Sequence, residues 1–395
     1  MIVDDLVILV GGRGSRINKF TSTIPKPLIS IGNKPFLDQL ISNKLKYDFK
    51  RIFLLCSFKK NLFFKRYHNK HINNTKLICI DEGSRKDTGG ALYKLKSRIK
   101  KDFILVNGDT FFDFDIYKLV KQKLHNKIGI MCLTKIKKKY QDNKIDNLDI
   151  NRTNDVYFSK KKTNIINGGL YLFNKKIFKF IKNKKQSLEN EILKDLINKN
   201  KIKGLLSNRN FIDIGSYVRL KYLRNNTTYI KNKAFFLDRD GVINKDNGYV
   251  LKYSKFFFLN GVKKSIKYIN DKNYLVIILT NQAAIGKGLM NEKELHLIHQ
   301  KMKKDLLRNN NGKVDDIYFA PYFKDSKLLK YRLNKNDRKP NIGMFKKAID
   351  KWNIDINKSF YIGDKKIDYL ASKKAKIKFF YKERTSLYNQ ITSII

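Results

Sequence analysis

Short apolar runs recur along the whole chain, separated by lysine-rich stretches of helical composition. In the first half they are LVILV (6–10), RIFLLCS (51–57), KLICI (76–80), FILVN (103–107), KIGIMCL (127–133) and GLYLF (169–173). A second series follows: AFFLD (234–238), YLVIILT (274–280), DIYFA (316–320), FYIGD (360–364) and KIKFFY (376–381). Apolar runs this short read as buried strands, and their alternation with helical stretches is the βαβ pattern of parallel sheets. Between the series, SYVRLKYLRNNTTYIKNK (216–233) is polar and loses strand character. The predicted organisation is a domain over 1–224, a linker over 225–232 and a domain over 233–395. At 395 residues and 42% hydrophobic content there is material for two cores.

The N-terminal apolar stretch is short, carries Asp4 and Asp5 and runs into glycines, so no secretory signal is expected. The longest apolar run, YLVIIL (274–279), is too short to span a bilayer, which predicts a cytoplasmic chain without a membrane partner. Cys56, Cys79 and Cys132 lie in apolar stretches without CxxC spacing, as reduced, packed thiols would. His296 and His299, three apart in a helical stretch, read as an exposed helix face. The net charge is +50, yet only 15 of the 85 basic residues are arginine. The lysines are spread along the chain rather than gathered into a binding tail, so no specific nucleic-acid partner is expected. Arginine instead recurs in the motifs, as Arg13, Arg16, Arg239 and Arg338.

The first motif follows LVILV: Gly11, Gly12, Arg13, Gly14, Ser15 and Arg16, then TIPKPL at 23–28. Glycines after a parallel strand turn backbone N–H groups toward an anion, and flanking basic side chains neutralise it. Taken alone, such a loop is equally a tight turn. With the PKPL spacing, and with TGGAL (88–92), NGD (107–109), INGGLYLF (166–173), SLENEIL (187–193) and FIDIG (211–215) in order, residues 1–222 resemble the sugar-1-phosphate nucleotidyltransferases. The resemblance implies a Rossmann-like, GT-A-like mixed sheet. It implies that Arg16 and the loop amides grip a nucleoside triphosphate and that Lys26 meets the reacting phosphates. Gly89 and Gly90 would face the base, Asn167, Gly168 and Glu189 the sugar, and Asn107 would bind substrate or nucleotide. Asp109 and Asp213 would hold Mg²⁺. Val10, Ser15 and Ile17 depart from the usual alanine, threonine and leucine without removing a charge or a ligand.

The second motif is FFLDRDGVIN at 235–244. Side chains alternate along a strand, so Asp238 and Asp240 share a side, where one can attack phosphorus and the other handle a proton. A lone DxDG also fits a loop or a calcium-binding turn. Followed by LTNQAAIGKG (279–288), DRKPNIGM (337–344) and YIGDKKIDY (361–369), it resembles the haloacid dehalogenase (HAD)-like phosphatases over 233–381, with a Rossmannoid parallel sheet. Carried over by position, Asp238 is the nucleophile and Asp240 the proton donor. Thr280 would bind a phosphoryl oxygen, Asn281 would contact the substrate and Lys339 would neutralise the phosphoryl group. Asp238, Asp240 and Asp364 would hold Mg²⁺, supported by Asp368. DRDGVIN with GYV (248–250), TNQAAIGKG and RKP resembles the heptose bisphosphate and histidinol phosphate phosphatases, where Arg338 would bind the far end of the substrate. Relatives of that subgroup carry a zinc loop, but APYFKDSKLLKYRLNKNDRKP (320–340) has neither Cys nor His. No zinc is expected there, and Tyr322, Phe323 and Tyr331 are predicted to pack the loop instead.

The two resemblances imply consecutive reactions: removal of the 7-phosphate from heptose 1,7-bisphosphate, then transfer of a nucleotidyl group, from GTP by the guanylyl type, to the sugar 1-phosphate. Alternatives are mannose 1-phosphate guanylylation beside an unrelated phosphatase, a 3′-phosphatase of nucleic-acid ends, and a scaffold of inactive domains. No pattern encodes the oligomeric state.

Overall fold

In the computed structural model, residues 3–12, 14, 17, 21–83, 87–135, 147–310, 312–326, 328–333 and 336–395 are described. The chain divides into two units, Met1–Ile230 and Lys231–Ile395, each with its own hydrophobic core.

The first unit contains strands β1 (Asp5–Leu9), β2 (Arg51–Cys56), β3 (His71–Ile72), β4 (Thr75–Asp81), β5 (Phe103–Asn107), β6 (Thr110–Phe112), β7 (Gly129–Lys135), β8 (Ile165–Phe173), β9 (Ile202–Leu206) and β10 (Phe211–Asp213). Eight of them form one sheet in the order β9-β7-β8-β5-β1-β2-β4-β3. Its centre is parallel, with β1 between β2 and β5, whereas β8 runs antiparallel to both β5 and β7. This corrects the all-parallel expectation from the alternation, in favour of the mixed sheet implied by the resemblance. Apolar runs do not encode direction. The described residues between β7 and β8 form a small antiparallel ribbon, Leu148–Ile150 with Val156–Phe158, rather than a crossover helix. A second ribbon pairs β10 with β6. Helices α1 (Asp87–Leu92) and α2 (Tyr217–Asn225) carry residues used below.

The second unit contains β11 (Lys233–Leu237), β12 (Tyr274–Asn281), β13 (Asp316–Ala320), β14 (Phe360–Gly363) and β15 (Lys378–Tyr381). All are parallel, in the order β13-β12-β11-β14-β15. A central parallel strand covered on both faces needs unbroken apolar sequence, and Ala234 to Leu237 are each fully buried. Around it lie α3 (Val262–Asp271), α4 (Glu292–Asn310), α5 (Gly343–Trp352) and α6 (Lys366–Ala375). Helix α3 buries Val262, Ser265, Ile266 and Ile269, the one-sided stripe that docks a helix onto a sheet. Each isoleucine buried there contributes about 1.5–3 kcal/mol.

The three cysteines are free and buried. His296 is exposed as expected, but His299 is only 5% exposed, a correction. It falls on the stripe of Leu295, Ile298, Met302 and Leu306, which faces the core. The 320–340 loop is held differently from the expectation. Tyr331 is buried and its hydroxyl donates to Glu292 Oε1 (2.7 Å), whereas Tyr322 and Phe323 are only partly covered. The Phe323 N–H donates to the Tyr331 carbonyl, and Arg332 Nε to that of Ser326. Among the described residues no helix is long and apolar enough to cross a membrane.

Candidate active sites

In the first unit the glycine loop leaves β1 and passes directly over Glu82. A Cβ at Gly11 would collide with that carboxylate, whereas the space beside Gly12 is open. Gly14 lies against Lys26. Arg13, Ser15 and Arg16 lie outside the described residues, so Arg16 remains an expectation. Lys26, in the turn Lys26–Leu28, is 7% exposed, and its Nζ reaches Asp109 Oδ2 at 2.6 Å. Asp109 is carried just past the C-terminal end of β5. The β6–β10 ribbon sets Asp213 opposite Thr110, and the Ile214 N–H donates to the Asp109 carbonyl. Asp213 accepts from the Gly215 N–H (2.8 Å) and pairs with Arg219 Nη2 of α2 (2.9 Å). Burial raises its pKa, with the Asp109 charge adding and Arg219 opposing. Two mutually repelling carboxylates, each held by a cation, fit a site that a divalent ion and phosphates would complete.

Asn107 ends β5 with a buried Oδ1 that has no partner. Asn167 donates from Nδ2 to the Tyr171 hydroxyl (2.6 Å) and accepts the Gly169 N–H (2.9 Å), and Gly168 packs on the Phe112 ring. Glu189 accepts from Thr88 Oγ1 (2.8 Å). Its pKa is raised by burial, which outweighs that hydrogen bond. Gly89 and Gly90 are tied down by their backbone. Both N–H groups donate to the Gln186 carbonyl (2.9 and 3.0 Å), so they fasten α1 to the 186–192 segment.

The second unit gathers its residues at the carboxyl ends of its strands, beside the point between β11 and β14 where the strand order reverses. Asp238 follows β11, Thr280 and Asn281 end β12, and Asp364 follows β14. Lys339, 3% exposed, reaches Asp238 Oδ1 (2.9 Å) and Asp368 Oδ1 (2.6 Å), and also the Leu279 carbonyl and the Tyr361 hydroxyl. Burial pulls the ammonium down, but the two carboxylates outweigh it and its pKa is raised. Asp238 is pushed up to about 7 by burial, with Lys339 opposing and Asp368 adding. Removing one member of such a buried set costs about 3–5 kcal/mol.

Asp238, Asp364 and Asp368 converge within 4.8 Å of one another. The two oxygens of Asp368 are already committed, one to Lys339 and Tyr361 and the other to the Lys365 N–H, so it braces the lysine. Asp364 Oδ1 is buried without a partner, and burial raises its pKa. Asp238 and Asp364 therefore fit a hard cation such as Mg²⁺. The Asp240 carboxylate, expected beside them, is not part of that cluster. It is chelated by the Arg239 guanidinium (Nε 3.1 Å, Nη2 2.8 and 2.9 Å) and receives Asn244 Nδ2 and Gln282 Nε2.

Thr280 Oγ1 accepts from Gln282 Nε2 (2.8 Å). Asn281 clamps the Lys339 backbone through both ends of its amide (3.1 and 3.0 Å), so it holds the lysine loop rather than offering its side chain to a ligand. Arg338 is half-buried, with Nη1 donating to the Tyr322 carbonyl (3.0 Å). Sequence reasoning missed Gln282, Asn244 and Tyr361, although all three lie within the quoted motifs.

The nucleotidyl transferase family matches residues 6–227, and the polynucleotide kinase 3 phosphatase family matches residues 232–380. D-glycero-beta-D-manno-heptose-1,7-bisphosphate 7-phosphatase of Haemophilus ducreyi is 38% identical over 146 residues, 37% of this chain and 80% of the relative. Among solved structures, HddC from Yersinia pseudotuberculosis complexed with GMP-PN is 28% identical, covering 56% of this chain and 99% of that one, with a TM-score of 0.47. D,D-heptose 1.7-bisphosphate phosphatase from B. bronchiseptica complexed with magnesium and phosphate is 26% identical, covering 41% of this chain and 87% of that one, with a TM-score of 0.35. The chain thus belongs to the nucleotidyl transferase family through residues 6–227 and, through its second unit, to the family of the D-glycero-D-manno-heptose-1,7-bisphosphate 7-phosphatases.

Proposed function

We propose that the chain makes a nucleotide-activated heptose in two steps. The second unit hydrolyses the 7-phosphate of D-glycero-D-manno-heptose 1,7-bisphosphate, and the first transfers GMP from GTP to the remaining 1-phosphate with release of pyrophosphate. The observation that carries this reading is the joining, in one chain, of a nucleotidyl transferase to a heptose bisphosphatase. The product of one chemistry is the substrate of the other.

In the phosphatase, Asp238 attacks phosphorus and becomes an aspartyl phosphate while Asp240 protonates the leaving alcohol. Asp240 then takes a proton from the water that cleaves the acyl phosphate. Lys339 neutralises the nucleophile and the transferring group, and Thr280 binds a phosphoryl oxygen. Arg338 meets the end of the sugar that is not transferred. Mg²⁺, held by Asp238 and Asp364, would supply charge neutralisation at the phosphoryl oxygens. In the transferase, Arg16 and the glycine loop grip the triphosphate. Lys26 leaves Asp109 for the reacting phosphates, and Asn107, Asn167 and Glu189 orient the sugar. Asp109 and Asp213 would hold a second Mg²⁺.

The test is a product assay with the α and β anomers of the bisphosphate, Mg²⁺ and each of the four common nucleoside triphosphates. Orthophosphate followed by GDP-heptose, with GTP alone, is the expected result. Orthophosphate without a nucleotide sugar would overturn the transferase half. The family matched by the second unit favours one other reading, a 3′-phosphatase of nucleic-acid ends. Release of phosphate from a 3′-phosphorylated oligonucleotide, with none from the sugar, would replace the heptose reading with it.

A further inference from the structure

Arg239 stands between Asp238 and Asp240, yet neither expected role uses it. Its side chain is 1% exposed, among the largest fully buried in the molecule. A buried guanidinium has five donors and no acceptor, so every N–H needs a protein oxygen or nitrogen to meet. Nε and Nη2 are spent on Asp240. Nη1 points the other way and lies 3.3 Å from Nε2 of His299 on helix α4. Arginine can only donate, so that imidazole nitrogen must accept, which leaves the ring neutral with its proton on Nδ1. His299 is itself buried among Leu295, Ile298 and Met302, with its ring against Phe319 at 6.5 Å between centroids. Burial, and then the Arg239 charge, hold its pKa well below the ordinary imidazole value.

We infer that His299 is a positioning residue for the phosphatase, fixing through Arg239 the carboxylate of Asp240 that donates and removes the proton. The chain runs from helix α4 through a guanidinium with no freedom to turn. The fork presents two nitrogens to Asp240 only while Nη1 is satisfied behind it. Without the acceptor a buried N–H loses its partner, and any turn of the guanidinium to recover one pulls on a carboxylate that Asn244 and Gln282 also hold. The inference rests on the reading of Asp240 as the proton donor.

The experiment compares kcat/KM for 4-nitrophenyl phosphate, whose leaving group departs without a proton, with that for two primary alkyl phosphates, heptose 1,7-bisphosphate and fructose 1,6-bisphosphate. His299→Leu keeps size and removes the acceptor, whereas His299→Gln restores an acceptor in its amide oxygen. The expected result is an alkyl-to-aryl ratio that falls about tenfold or more in His299→Leu and recovers in His299→Gln. Asp240→Asn should depress the same ratio, and adding His299→Leu to it should change the ratio no further. If His299→Leu lowers both classes of ester alike, or lowers only the melting temperature, the residue is a packing element and the inference is overturned. If Asp240→Asn leaves the ratio unchanged, the reading of Asp240 falls and takes the inference with it. A failure of the heptose assignment alone would appear separately, as wild-type preference for fructose 1,6-bisphosphate with the ratio test intact.

Discussion

Glu82 is the buried acid that no motif announces. It follows β4, is 6% exposed and lies under the backbone of Gly11. Burial lifts its pKa to about 7 from 4.5, with the charges of Asp81 and Asp87 adding to the rise. The folded chain therefore holds a proton at Glu82 that the unfolded chain has lost between those two values. Stability falls as pH climbs through that window, and the deficit is complete above it. A shift of this size corresponds to a deficit of about 3 kcal/mol. Glu82→Gln should remove the slope, melting near the wild-type temperature at pH 5 and above it at pH 8. Scanning calorimetry of both proteins at the two pH values checks this, and parallel pH profiles would rule it out.

At the level of elements, the turn after Asp240 shows how little room the proposed metal-binding carboxylate Asp364 has. Gly241 follows Asp240 at φ +85°, and a Cβ there would run into the Asp364 carboxylate. Gly241→Ala is expected to fold, at a cost of about 1–2 kcal/mol for the left-handed backbone. It should displace Asp364 and raise the Mg²⁺ concentration for half-maximal phosphate release about tenfold or more. A magnesium titration of activity reads this out; an unchanged half-saturation would show that Asp364 does not hold the ion. Asp238, Thr280 and Asp364 were legible in the sequence because a parallel strand ending in a polar residue fixes where that residue stands. Commitments made by distant segments were not legible. Nothing local says that the Gly89 and Gly90 amides go to Gln186, or that the Asn281 amide goes to the Lys339 backbone. The direction of β8 was hidden for the same reason. His299 could have been found: it stands four residues after Leu295 and three before Met302, on the buried face of α4.

For the whole molecule, 85 basic residues face 35 acidic ones. Most lysines therefore have no carboxylate to pair with, and weak, salt-sensitive attraction to any polyanion follows from composition alone. The charges at the proposed sites are arranged differently, and most of these acids are answered locally. Lys26 and Arg219 serve Asp109 and Asp213 in the first unit, and Lys339 serves Asp238 and Asp368 in the second. Each unit also has a core of its own. Neutralising one acid should then disturb one reaction only. Asp238→Asn removes the proposed nucleophile and should abolish orthophosphate release, leaving nucleotidyl transfer to a supplied heptose 1-phosphate within about twofold of wild type. Asp109→Asn should do the reverse, stopping pyrophosphate release while the bisphosphate is still hydrolysed. Assaying both products for both variants, with circular dichroism to confirm folding, decides the matter. Loss of both activities from either folded variant would mean that the two sites share a state, and that the joined domains are coupled rather than merely linked.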